Sequence, residues 1–122
     1  MIDPPLDAIP LGGKQSCYLF GRDSRVCDLV LENPSCSMQH AVIQFREKHV
    51  TRQLSAEEQT AKGLFQGFIT ETVVRPYLMD LESTNKSFLN DSEVEGARYY
   101  ELRDKDIMRF GESQREYVIM KS

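Results

Sequence analysis

Short apolar runs broken by turn residues recur along almost the whole chain, and this rhythm constrains the fold more than any other feature. Cys17-Tyr18-Leu19-Phe20 is ended by Gly21-Arg22-Asp23, and Asp28-Leu29-Val30-Leu31 by Asn33-Pro34-Ser35. Ala41 to Arg46, Val73 to Leu81, Phe88 to Asn90, Val94 to Gly96, Tyr99 to Leu102, Ile107 to Phe110 and Glu116 to Met120 repeat the pattern. Runs this short, rich in β-branched and aromatic side chains and bounded by Gly, Pro, Asn, Asp and Ser, read as strands. Strands so closely spaced bury their apolar faces by packing two layers together. The expected fold is therefore an all-β sandwich of two antiparallel sheets. Pro76 has no N–H to give a ladder, which places its part of the run at an edge or at a strand start.

One stretch breaks the rhythm. Residues 47–72 read as an insertion between two strands of one sandwich, with a short disordered loop as the alternative; the length argues for structure of its own or for a partner surface. Within it, Ser55-Ala56-Glu57-Glu58 has the form of a helix start, with Ser55 as cap and Glu58 three residues on. Two turns over Ala56 to Lys62 would be stopped by Gly63. Leu64, Phe65 and Phe68 then need somewhere to pack. Glu57 and Glu58 read as a solvated helix face. The chain has 122 residues, which suits one domain. Residues 1–13 are expected to be an N-terminal tail or linker, and 14–122 the domain, with 47–72 inserted in it.

Composition removes several function classes. Fifteen basic and 19 acidic residues give a net charge of −4, which weighs against direct nucleic-acid binding while leaving room for one local basic pocket. No run of about 18 apolar residues exists to make a membrane-spanning helix, so no membrane partner is expected. Met1 to Pro10 lacks the basic start and apolar stretch of a secretory signal. The three cysteines, Cys17, Cys27 and Cys36, form no CxxC pair. Their odd number argues against a disulfide framework or a zinc site, and no metal or cofactor is expected.

Three polar clusters follow strands: Gly21-Arg22, Ser35 to His40, and Asp80 to Ser87. Loops on a rigid sandwich are where binding residues concentrate. These residue types suit a dianion. Arginine offers a planar fork to two phosphate oxygens, serine and threonine give directional hydroxyl bonds, and an asparagine amide bridges to peptide backbone. A hydrolase reading of Ser37, His40 and Asp80 has the right residue types for an acyl-transfer triad but no nucleophile-elbow motif; the chain is not expected to be an enzyme.

In order along the chain, Gly21-Arg22, Ser37-x-x-His40 and Asp80-Leu81-x-Ser83-x-Asn85 ending in Asn90 resemble the signature of the forkhead-associated (FHA) domain. The resemblance covers about Ser16 to Met120. Asn33 to Arg46, Arg75 to Leu81 and Ala97 to Leu102 further resemble the Smad nuclear interacting protein subfamily, which includes the FHA subunit of the pre-mRNA retention and splicing complex. The resemblance implies a nuclear module that binds a phosphothreonine peptide in a pre-mRNA splicing assembly, with splicing-complex proteins as partners. It implies that Arg22 and Ser37 grip the phosphate, that Thr84 adds a contact, and that Asn85 bonds the peptide backbone. Gly21, His40, Asp80 and Asn90 would support the site: Gly21 by letting the first loop turn tightly, His40 by tying two loops together from beneath, Asp80 and Asn90 by fixing turns. An alternative is a scaffold that binds its partner without phosphate, through the insertion or a sheet face.

Two departures from the family pattern stand out. Gly-Thr after the asparagine is Lys86-Ser87 here. If positive φ is required, Lys86 costs about 1 kcal/mol, while Ser87 keeps the hydroxyl; Lys86 also brings a positive charge toward the peptide. The basic residue that often follows the serine of SxxH is Met38, which removes one phosphate contact.

Overall fold

A computed structural model describes residues 7–10, 16–61, 63 and 67–120. The chain divides into two compact units, one of residues 1–45 and 76–122 and the other of Arg46–Arg75.

The first unit is a β-sandwich, as the strand rhythm predicts. Ten strands run through the chain: β1 (Asp7–Pro10), β2 (Cys17–Gly21), β3 (Leu29–Val30), β4 (Ala41–Gln53), β5 (Phe68–Asp80), β6 (Ser87–Leu89), β7 (Ser92–Glu93), β8 (Tyr99–Glu101), β9 (Ile107–Phe110) and β10 (Tyr117–Met120). One sheet has the order β1-β10-β9-β6-β7 and the other β3-β2-β4-β5-β8. Pairing is antiparallel except at β1 with β10 and β3 with β2. Alternation does the packing. In β5 Pro76, Leu78 and Asp80 point inward, and in β9 Met108 and Phe110 do so. Phe20, Ile43, Leu78, Leu102, Met108, Phe110 and Ile119 are buried in one cluster drawn from both sheets. Each such side chain contributes about 1.5–3 kcal/mol by leaving water. Phe20 lies 4.9 Å from Phe110 and 5.8 Å, edge-on, from Tyr117 by ring centroid, geometry that aromatic quadrupoles favour.

The sequence reading needs correction at four places. Within the stretch read as a tail, Asp7–Pro10 pairs in parallel with β10. Val94 to Gly96 is not a strand; β7 is Ser92–Glu93, and Gly96 makes only an isolated bridge to Asp80. Pro76 sits inside β5, neither at its start nor on an edge strand. Its carbonyl takes Leu102 N–H, 2.9 Å, just beyond the β5–β8 ladder that begins at Tyr77. Finally, the insertion is narrower than 47–72, because β4 continues to Gln53 and β5 starts at Phe68.

The second unit, Arg46–Arg75, is the outer part of that β4–β5 ribbon with a short helix α1 (Ala56–Ala61) in its connection. Ser55 and Glu58 form the reciprocal cap: Glu58 N–H donates to Ser55 Oγ (3.2 Å) and Ser55 N–H to Glu58 Oε1 (3.0 Å). Gly63, at φ 71°, ends the helix in the left-handed conformation that glycine adopts freely. Lys62, Leu64 and Phe65 lie outside the described residues, while Phe68 is 71% exposed. Glu57 is exposed, but Glu58 is engaged: Arg52 holds it with both terminal nitrogens at 2.8 Å and gives its Nε to Glu71.

Candidate functional site

The three polar clusters converge at one end of the sandwich, and backbone bonds bring them there. Arg22 N–H donates to Ser37 C=O (3.1 Å), and Asp23 N–H to Met38 C=O (3.2 Å), so the first loop is laced to the second. This needs a glycine at position 21 for a reason other than the expected tight turn. Gly21 lies in β2 without positive φ, and a Cβ there would stand 2.1 Å from Met38 O. The space belongs to the neighbouring loop. The second loop meets the third where Thr84 N–H points at Ser37 Oγ (3.5 Å), Leu81 N–H donates to His40 C=O (2.9 Å) and Asn85 Nδ2 to Ser35 C=O (2.8 Å).

Beneath these loops lies a buried polar layer. His40 is fully buried. Its Nδ1 accepts the Ser37 N–H (3.0 Å), so Nε2 carries the hydrogen and donates to Lys86 C=O (2.9 Å). One ring thus joins the second loop to the third. Asp80, also fully buried, accepts Ser83 N–H (2.9 Å), Ser83 Oγ (2.6 Å) and Ser87 Oγ (2.6 Å). A buried carboxylate with three donors is tolerated where an unpaired one is not. Asn90 sits farther away, at φ 52° with Asp91 at 66°. These two residues make the two-residue turn between β6 and β7, where positive φ at both positions matches the twist of the strands. Asn90 also accepts Ile107 N–H and donates to Asp106.

Above this layer, unspent groups face outward. Arg22 is exposed; its Nε donates to Cys36 C=O, and its two terminal nitrogens have no partner among the described residues. The hydroxyl hydrogens of Ser37 and Thr84 and the Asn85 Oδ1 are likewise uncommitted. The set is one fixed cation, two hydroxyls and an amide acceptor, which fits an anionic tetrahedral group carried on a peptide. Met38 is exposed and contributes its carbonyl to Asp23 and Cys27. Lys86 stands at φ 71°, the conformation that makes glycine the easier residue.

The triad reading fails on geometry. The His40 nitrogen near Ser37 is occupied by that residue's main-chain N–H, and Asp80 is saturated by two other serines. Burial pushes the Cys36 and Cys27 thiols up, away from nucleophilic thiolates. Among the described residues no group of His, Cys, Asp and Glu is arranged to hold a metal ion.

In the sequence Ser35 closes the Asn33-Pro34-Ser35 turn and opens the second polar cluster, with no partner assigned to it. Its Oγ accepts Glu112 N–H (2.7 Å) and donates to Asn33 Oδ1 (2.6 Å), tying the β9–β10 loop to the site. Gly111 makes a parallel tie, donating to Lys86 C=O (2.8 Å). Ser83, a fixed point of the DLxSxN pattern, had no assigned role; its place three residues after a strand-ending aspartate was the available signal.

The FHA domain family model matches residues 18–111. The chain belongs to the FHA family. FHA domains are phosphopeptide-binding modules without catalytic activity of their own. FHA domain-containing protein DDL of Arabidopsis thaliana is 48% identical over 107 residues, covering 88% of this chain and 30% of that protein. Smad nuclear-interacting protein 1 of Mus musculus is 43% identical over 107 residues, covering 88% and 24%. The solved structure of the yeast Pml1 splicing factor, described with its integration into the RES complex, superposes with a TM-score of 0.57 at 32% identity, covering 84% of this chain and 57% of that one. The chain therefore spans under a third of the length of either curated relative, and this FHA domain is related to splicing factors.

Proposed function

We propose that this FHA domain binds a phosphothreonine-containing segment of a nuclear pre-mRNA splicing protein, through Arg22, Ser37, Thr84 and Asn85. The observation that carries the reading is the convergence of an exposed guanidinium, whose terminal nitrogens are unspent, with the free hydroxyls of Ser37 and Thr84. Arg22 is held by its Nε on Cys36 C=O, so the fork is pre-oriented and little rotamer entropy remains to lose on binding. Asn85 is anchored by Nδ2 and keeps Oδ1 for a peptide N–H. The splicing and nuclear context is supported by the likeness to Smad nuclear-interacting protein 1 and to Pml1.

Charge-assisted bonds contribute about 1.5–3 kcal/mol each. Arg22 with two hydroxyls and one amide then supplies about 8 kcal/mol, a micromolar Kd. Calorimetric titration with a phosphothreonine peptide and its unphosphorylated twin should give micromolar binding for the first and none for the second, and Arg22→Ala should remove the difference. Equal affinity for both peptides would sink the proposal.

A further inference from the structure

Lys86 is out of place on backbone grounds and well placed on electrostatic ones. Its φ of 71° is disfavoured for any residue with a β-carbon. The main chain is held there by its own carbonyl, which accepts from both His40 Nε2 and Gly111 N–H. That carbonyl faces the buried layer, while the residue as a whole is exposed. Among the described residues its ammonium group has no ion-pair or hydrogen-bond partner. It follows Asn85 directly, which is itself tied to the Ser35 loop. A strained residue, locked at the rim of a binding site and carrying an unspent charge, points to function in the side chain.

The second loop supplies the contrast. Position 38, beside Ser37, carries the uncharged Met38, 46% exposed. The rim thus has no cation on the Ser37–His40 loop and one on the Asp80–Ser87 loop. We infer that Lys86 makes this domain select phosphothreonine peptides with a second anionic group beside the phosphothreonine, on the flank that runs over the Asp80–Ser87 loop. The inference rests on the phosphothreonine reading above. The second group is a carboxylate or another phosphate, since a lysine ammonium acts as a point charge and demands no planar geometry. Glu82 and Glu112 are exposed in loops at the same end. Their charges oppose the long-range pull on an acidic peptide, so the selection acts at contact range and only over Lys86.

The test uses fluorescence anisotropy on peptides with one phosphothreonine and, at each flanking position in turn, alanine, glutamate or phosphoserine. Wild-type protein should bind the best glutamate peptide about fivefold more tightly than its alanine twin, as expected of an exposed ion pair, and the phosphoserine peptide more tightly still. The glutamate advantage should shrink at high salt. Lys86→Gln keeps the β-carbon and removes the charge; it should bring the glutamate-to-alanine ratio to about one, and Lys86→Arg should keep the ratio. A wild-type ratio of one at every position overturns the inference while leaving phosphothreonine binding intact. An unchanged ratio in Lys86→Gln overturns it equally. Loss of any difference between phosphorylated and unphosphorylated peptides in wild-type protein would instead overturn the reading beneath it.

Discussion

Single residues carry two kinds of demand in this domain, and Lys86 meets both at a cost. Left-handed backbone costs a residue with a β-carbon about 1–2 kcal/mol. Glycine would avoid that but lose about 0.4–1 kcal/mol more unfolded-state entropy. The first term is the larger, so Lys86→Gly should stabilise the domain by about 0.5–1 kcal/mol in urea unfolding. The carbonyl that holds His40 and Gly111 is main chain and survives the change. A destabilised variant would mean that the lysine side chain packs usefully and that backbone strain is not what it contributes. The spacing of the motifs made this position visible from sequence alone. Gly21 was visible as a residue but not in its reason. Its constraint is a carbonyl 17 residues away in sequence, at Met38, and no local pattern reports such an approach. Ser35 does lie in the turn after Pro34, but its tie to Glu112, 77 residues on, has no local signal either.

At the scale of elements, what sequence could show depended on which forces build each piece. β9 alternates half-buried and buried positions, while β2 and β10 are short apolar runs bounded by turn residues, so all three were legible. The helix was legible from its reciprocal cap, a contact over three residues. The outer parts of β4 and β5 were not. From Arg46 to Gln53 nearly every residue is polar and no residue is buried, so no period marks a strand; pairing between the two halves of the ribbon does the work. Charge then fastens α1 to it. Hydrogen bonds from Arg52, reinforced by the cap at Ser55, hold the Glu58 carboxyl well below its ordinary value of 4.5. A carboxylate depressed in the folded state stabilises that state above its unfolded pKa, and the contribution fades as pH falls from there toward the depressed value. The Cα shifts of residues 56–61 should therefore report a helix at pH 6 that weakens by about pH 3, and Glu58→Gln should look weakened at both. A helix indifferent to pH and to Glu58→Gln would assign its stability to something other than the Arg52 contact.

For the molecule as a whole, the division of labour between the two compact units has a consequence for binding. Every residue of the buried cluster lies within residues 1–45 or 76–122, as do Arg22, Ser37, Thr84, Asn85, Lys86 and the buried His40 and Asp80 beneath them. The described residues of Arg46–Arg75 add no side chain to that cluster, and α1 buries none of its own. Stability and phosphopeptide recognition should then be separable from the arm, leaving the arm free to vary. A two-residue Asn-Gly turn is the shortest connection that suits the twist of an antiparallel pair. Replacing residues 47–74 with it should preserve cooperative unfolding and, because residues that share no partners contribute independently, leave phosphothreonine affinity within about twofold. If binding to a splicing partner is lost while phosphopeptide affinity stays, the arm is a second docking element and the phosphate-independent contact belongs to it. If phosphopeptide affinity falls with the arm, the site is not self-contained in the sandwich, and the separation argued from its hydrogen bonds is wrong.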